Sequence, residues 1–74
     1  MTTTRFDVPE ISCDHCKNSL EGALGPVAGV DSVRVDVAAT TVTVAHDPQA
    51  VPAPQLVNVI EEQGYDVERT QEVS

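Results

Sequence analysis

Apolar and polar residues alternate with a period of two in four short segments of this 74-residue chain. Such alternation predicts β-strands with one buried and one exposed face. The predicted strands cover residues 4–8, 31–38, 41–45 and 65 to about 70. Pro9 ends the first strand because proline has no N–H to donate to a ladder. The second and third strands, joined at Ala39 and Thr40, predict a β-hairpin, and residues 71–74 are expected to be frayed.

Two further segments carry apolar residues at helical spacing. The first helix is expected to begin near Asp14, with Ser12 or Asp14 as its cap. Its inward stripe is Cys16, Leu20, Ala23, Leu24 and Val27. The second helix places Leu56, Val59, Ile60 and Gln63 on one side, and Gly64 is a good residue to end it.

The predicted element order is therefore β-α-β-β-α-β. This order indicates the α+β class and the ferredoxin-like fold, a four-stranded antiparallel sheet with two helices on one face. We expect one domain over residues 1–74, with a structured core of about 4–70. Because that fold hosts many functions, the function must be inferred from particular residues.

The net charge and the hydropathy of the chain limit the classes of partner that it can bind. Twelve acidic and four basic residues give a net charge of −8, which disfavours binding to nucleic acid and to anionic membranes. The first residues lack the apolar stretch of a secretory signal, and no apolar run has the length of a membrane span. We therefore expect a cytoplasmic protein without membrane insertion, in a compartment where thiols stay reduced.

The only two cysteines, Cys13 and Cys16, lie three positions apart where the first strand gives way to the first helix. A disulfide across so short a loop removes little chain entropy, so the pair is poorly placed as a structural staple. Two thiols at this spacing can bind one soft metal ion or act as a redox couple. The helix N-terminus and Lys17 favour the thiolate, whereas Asp14 opposes it.

The small number of other side chains that could bind a metal favours a Cu(I) site over a closed zinc site. Structural zinc takes four protein ligands, and the chain offers only His15 and His46 beside the cysteines. We interpret His15 as a solvated loop residue, with a third ligand in a metal-bridged dimer as the alternative. His46 is expected at the surface, at a strand end. Cu(I) is soft and is satisfied by two or three sulfur ligands.

A set of motifs at matching spacing covers about residues 6–67. It comprises Cys13-x-x-Cys16, Leu20-Glu21, Gly29-Val30, Val33 and Val35, Val42-x-Val44, Ile60-Glu61 and Gly64-Tyr65-Asp66-Val67. In this set the chain resembles the heavy-metal-associated domain family, and within it the small bacterial copper chaperones. The family motif commonly opens with Gly-Met, where this chain has Glu10 and Ile11. Ile11 is expected to fill the space of the methionine, whereas loss of the glycine removes backbone freedom from the loop.

The resemblance implies a function and a set of roles. Cys13 and Cys16 would bind Cu(I), Tyr65 would lie close to the metal, and Lys17 would offset the negative charge of a bis-thiolate complex. Family chaperones pass Cu(I) by ligand exchange to matching domains of copper-transporting P-type ATPases. Some members dimerise with copper at the interface, so we expect a monomer without metal and a copper-bridged homodimer as a possible loaded state.

Several alternatives remain open at this point. The chain resembles the N-terminal metal-binding domain of a heavy-metal P-type ATPase as well as a free-standing chaperone, although a Met at position 1 and a last strand near the end fit the chaperone. Zn(II), Cd(II) or Hg(II) would also accept thiolates. A thiol–disulfide oxidoreductase is the rival from another class, but the tryptophan that commonly precedes the thioredoxin motif is absent. We expect a metal carrier and not an enzyme.

Overall fold

A computed structural model describes residues 2–73 of the chain. Its elements follow the predicted order. They are β1 (Thr2–Asp7), α1 (Asp14–Leu24), β2 (Val30–Asp36), β3 (Thr41–His46), α2 (Ala53–Glu62) and β4 (Arg69–Glu72). The strands form one antiparallel sheet in the order β2-β3-β1-β4. This is the predicted ferredoxin-like βαββαβ arrangement.

The core lies between the inward faces of the strands and of the helices. The strands contribute Phe6, Val35, Val42 and Val44, and the helices contribute Leu20, Leu24, Leu56 and Ile60, all buried. These residues match the predicted inward positions, since side chains two apart share a sheet face and those three or four apart share a helix face. Loop residues Val8, Ile11 and Val51 complete the core.

Two glycines take the left-handed backbone conformation that favours this residue. Gly64 (φ +93°) follows Gln63, the C-cap residue of α2, and ends the helix as predicted. Gly29 (φ +95°) precedes β2, and its carbonyl accepts the Asp47 N–H at 2.8 Å. A Cβ at Gly29 would lie 2.7 Å from the Ala50 Cβ. Gly29 therefore allows two loops to approach closely at this end of the sheet.

The prediction for the last strand was wrong in position. β4 runs over Arg69–Glu72 instead of starting at Tyr65. Within residues 2–73 its neighbour is β1, which pairs Thr4–Asp7 with these four residues in antiparallel register. The strand therefore starts at Arg69, the partner of Asp7, where β1 ends. The expected fraying is also wrong for residues 71–73, because Gln71 and Glu72 lie in the ladder and the Val73 N–H donates to the Thr3 carbonyl at 2.7 Å. Ser74 lies outside the described residues.

His46 was predicted at the surface and is instead 1% exposed. Its Nδ1–H donates to the Val51 carbonyl at 2.8 Å, because a carbonyl can only accept. In the neutral ring Nε2 then accepts the hydroxyl of Thr4, also at 2.8 Å. Both ring nitrogens are occupied by structural hydrogen bonds, which makes His46 a core residue.

Candidate metal centre

The two cysteine sulfurs meet at the junction of the β1–α1 loop and the first turn of α1. Cys13 is the N-cap residue in an extended conformation, and its carbonyl accepts the N–H groups of Cys16 at 3.1 Å and Lys17 at 3.3 Å. This turn directs both side chains to one side, with Sγ atoms 3.9 Å apart. Both thiols are free, Cys13 exposed and Cys16 half-buried.

This separation suits one shared thiophilic ion. A metal–thiolate bond is about 2.3 Å for zinc, so one ion can contact two sulfurs up to about 4.6 Å apart, and the observed 3.9 Å lies within that limit. The exposure of Cys13 leaves one side of the pair open to an incoming ligand. The geometry thus provides two sulfur ligands and access for a third.

The helix start differs from the prediction in its cap. Ser12 or Asp14 was expected to cap α1, but the N-cap is Cys13, and the structure of residues 2–73 has no side-chain cap hydrogen bond at this position. Asp14 is already the first helical residue, so its side chain is not in the capping position. The first helical N–H groups therefore have no side-chain partner from the N-cap residue.

Tyr65 lies beside the cysteine pair. It packs as a half-buried side chain against the core, as does Cys16. A hydrogen bond with the Tyr65 hydroxyl is the largest of the causes that lower the pKa of Cys16 from 9.0 to about 7, and a backbone hydrogen bond with Ser12 is the next. The pKa of Tyr65 is correspondingly raised, first by its hydrogen bond with Cys16. The phenol therefore remains a donor while the thiol ionises.

Glu10 is a site residue whose role the sequence did not reveal. Its Oε1 accepts the Asp66 N–H at 2.7 Å and joins the cysteine loop to the segment that carries Tyr65. Among residues 2–73, Thr40 is the one non-glycine residue with a positive φ. Glu10 therefore occupies the family's glycine position without backbone strain. Ile11 is 2% exposed in the core, as expected for a replacement of the methionine.

The remaining candidate residues lie outside the sulfur pair. His15 is exposed in the first turn of α1, and Lys17 is half-buried in the same turn. No group of three or more His, Cys, Asp or Glu side chains suitable for a metal ion occurs within residues 2–73. The fold of one chain therefore brings together two sulfurs and no third side-chain ligand of these types in its described part. The roles of His15 and Lys17 toward a metal stay predictions.

Between residues 2 and 73, no helix has the length and apolarity to cross a membrane. The heavy-metal-associated domain family matches residues 5–66. A curated copper chaperone CopZ from Staphylococcus saprophyticus is 43% identical over 67 residues, which cover 90% of this chain and 98% of the relative.

Solved structures agree with this match. A CopZ metallochaperone has 38% identity and a TM-score of 0.84, over 88% of this chain and 97% of its own. The N-terminal domain of a potential copper-translocating P-type ATPase from Bacillus subtilis, in the Cu(I)-loaded state, has 29% identity and a TM-score of 0.87, over 100% and 94%. By the extent of the family match and the identity to its relatives, this chain belongs to the heavy-metal-associated domain family.

Proposed function

We propose that this protein is a Cu(I) carrier that binds one ion between Cys13 and Cys16 and delivers it by thiolate exchange. The observation that carries the proposal is the pair of free sulfurs 3.9 Å apart at the surface. Two thiolates satisfy Cu(I), whereas structural zinc takes four protein ligands. The curated relative from Staphylococcus saprophyticus is named a copper chaperone, which supports copper as the cargo.

Delivery follows from the accessibility of the sulfurs. A bound ion with two sulfur ligands can accept a third from a partner, and the exposed side of Cys13 provides the approach. Loss of one original Cu–S bond then leaves the ion shared between the two proteins. Exchange of the second thiolate for a second thiolate of the partner completes the transfer, with no change in the oxidation state of copper or sulfur. The chain acts as a carrier in this scheme and not as an enzyme.

A copper-transporting P-type ATPase is the proposed recipient. The solved ATPase domain from Bacillus subtilis shares this fold at a TM-score of 0.87 and was studied with Cu(I) bound. Two domains of one fold with equivalent dithiol sites can exchange an ion with little change in its coordination. The cytoplasm is the proposed location, because its reducing conditions keep both thiols free.

A competition titration tests the cargo and the ligands. Reduced protein is titrated anaerobically with Cu(I) against a chromophoric Cu(I) chelator, and native mass spectrometry measures the stoichiometry. We expect one Cu(I) per chain at low loading, or one per two chains if copper bridges a dimer. The C13S/C16S double variant should not compete with the chelator. Comparable affinity in the double variant would contradict the proposal.

The second candidate is a metal-receiving domain of an ATPase, which the similarity to the Bacillus subtilis domain favours. Both roles require the same dithiol, so metal binding does not separate them. The genomic reading frame does, because an ATPase would continue from this domain into apolar membrane-spanning segments. A frame that ends with this domain supports the carrier.

A further inference from the structure

A single hydrogen bond connects the cysteine loop to the segment that follows α2. The Asp66 N–H donates to Glu10 Oε1 at 2.7 Å, although the two residues are 56 positions apart in the sequence. Both residues are exposed. The contact therefore does not follow from burial of either side chain.

The segment around Tyr65 has few other backbone anchors. α2 ends at Glu62, Gly64 turns the chain, and β4 begins only at Arg69. The next anchor along the chain is the Glu68 N–H, which donates to the Asp7 carbonyl at 2.8 Å. In the hydrogen bonds described for residues 2–73, the Asp66 N–H is thus the backbone group that ties this segment to the cysteine loop.

We propose that Glu10 is a positioning residue, whose carboxylate holds the Asp66 N–H and so keeps the Tyr65 side chain beside Cys16. Asp66 directly follows Tyr65, so an anchor on its N–H restricts the backbone that carries the phenol. Glu10 lies three residues before Cys13, so this carboxylate belongs to the cysteine loop. Its importance for copper transfer rests on the proposed function, whereas the positioning itself is a property of the metal-free protein.

A glycine in place of Glu10, as in the family pattern, has no side chain to accept the Asp66 N–H.

Three variants separate positioning from general destabilisation. E10A removes the acceptor. E10Q retains an oxygen at nearly the same place without the charge. E62A removes an exposed glutamate at the end of α2 and serves as the matched control for charge. All are measured reduced and metal-free by NMR, with urea unfolding to record global stability.

Two NMR readouts report the position directly. Amide exchange of Asp66 reports the hydrogen bond, and nuclear Overhauser contacts between the Tyr65 ring and the Cys16 β-protons report the placement of the phenol. Assignment of the ring is unambiguous because the chain has one Tyr and no Trp. Loss of a hydrogen bond to a charged acceptor should accelerate Asp66 exchange about ten-fold or more in E10A, and the ring contacts should weaken.

The expected pattern is that E10Q keeps the ring contacts and E62A matches the wild type in both readouts. Unchanged Asp66 exchange and ring contacts in folded E10A would overturn the proposal. An unfolded E10A, or equal changes in E10A and E62A, would also overturn it, since Glu10 would then act on the whole fold or through charge alone. No copper is present, so a failure of Cu(I) binding by the cysteines would leave this result unaffected.

Discussion

Tyr65 lies close enough to Cys16 for each side chain to shift the ionisation of the other. The pKa of Cys16 falls to about 7, and the pKa of Tyr65 rises. A residue from the far end of the chain thus helps to set the charge of a cysteine near its beginning. The ionisation of Cys16 therefore depends on tertiary structure as well as on the backbone of its own loop.

The first prediction concerns the phenol. In Y65F the ring is retained and the donor is lost, so the pKa of Cys16 should rise from about 7 toward its ordinary value of 9.0. At neutral pH less of the thiol is then ionised, and alkylation at Cys16 slows because the thiolate is the nucleophile. The measurement is the pH dependence of iodoacetamide modification, assigned to each cysteine by tandem mass spectrometry. Identical profiles for Y65F and wild type would show that the hydroxyl has no influence on the thiol.

The second prediction concerns the dependence of stability on pH. The pKa of Cys16 is about 7 in the folded protein and lies below the ordinary value of 9.0. A lowered pKa means that the thiolate stabilises the fold fully above pH 9.0 and that this contribution is lost as the pH falls through about 7. The difference in Tm between reduced wild type and C16S should therefore grow as the pH rises across this interval.

A constant Tm difference would mean that the Cys16 pKa is the same in the folded and unfolded chains. The same measurement on C13S shows how much of the pH dependence of the Tm arises from the neighbouring thiol, because the Cys13 side chain also contributes to the lowered pKa of Cys16.

The third prediction compares two glycines. G29A forces a Cβ onto a backbone with φ +95°, 2.7 Å from the Ala50 Cβ, and should lower the free energy of unfolding by about 2 kcal/mol or more. Gly22 lies exposed within α1, where an added Cβ would point into open space. G22A should therefore raise the free energy of unfolding by about 0.5–1 kcal/mol. Urea unfolding of the metal-free proteins measures both. Equal effects at the two sites would contradict the close approach at Gly29.

The fourth prediction compares the two histidines. H46A should lower the free energy of unfolding by about 2–4 kcal/mol, because it leaves a cavity and two unpaired polar groups, the Thr4 hydroxyl and the Val51 carbonyl. H15A should change it by less than about 0.5 kcal/mol, since His15 is exposed. Equilibrium urea unfolding distinguishes the two. A small effect of H46A would show that its buried hydrogen bonds contribute little to stability.

Much of the fold could be predicted from local pattern. The alternation of Val42 and Val44 and the helical spacing of Leu20 and Leu24 report burial directly, because each element has one inward face. The same alternation, extended by one step, places His46 inward with the two valines. Because histidine is polar, the sequence did not predict that this position is buried. Its burial depends on hydrogen-bond partners in β1 and in the loop that follows β3.

The parts that could not be predicted depend on contacts between distant segments. The start of β4 is set by where β1 ends, which the sequence of β4 does not reveal. The sulfur pair was visible as a motif, and Tyr65 through the family resemblance. The bond from Glu10 to the Asp66 N–H was not visible, because it joins two exposed residues from separate loops. A glutamate in place of the family's glycine was the one available signal.

X-ray absorption at the copper edge of the Cu(I)-loaded protein tests the central claim most directly. We predict a first shell of sulfur alone for the wild type, with two sulfur neighbours at a loading of one copper per chain. The sulfur shell should be lost in C13S/C16S. A first shell dominated by nitrogen or oxygen in the wild type, or an unchanged spectrum in the double variant, would contradict Cys13 and Cys16 as the copper ligands.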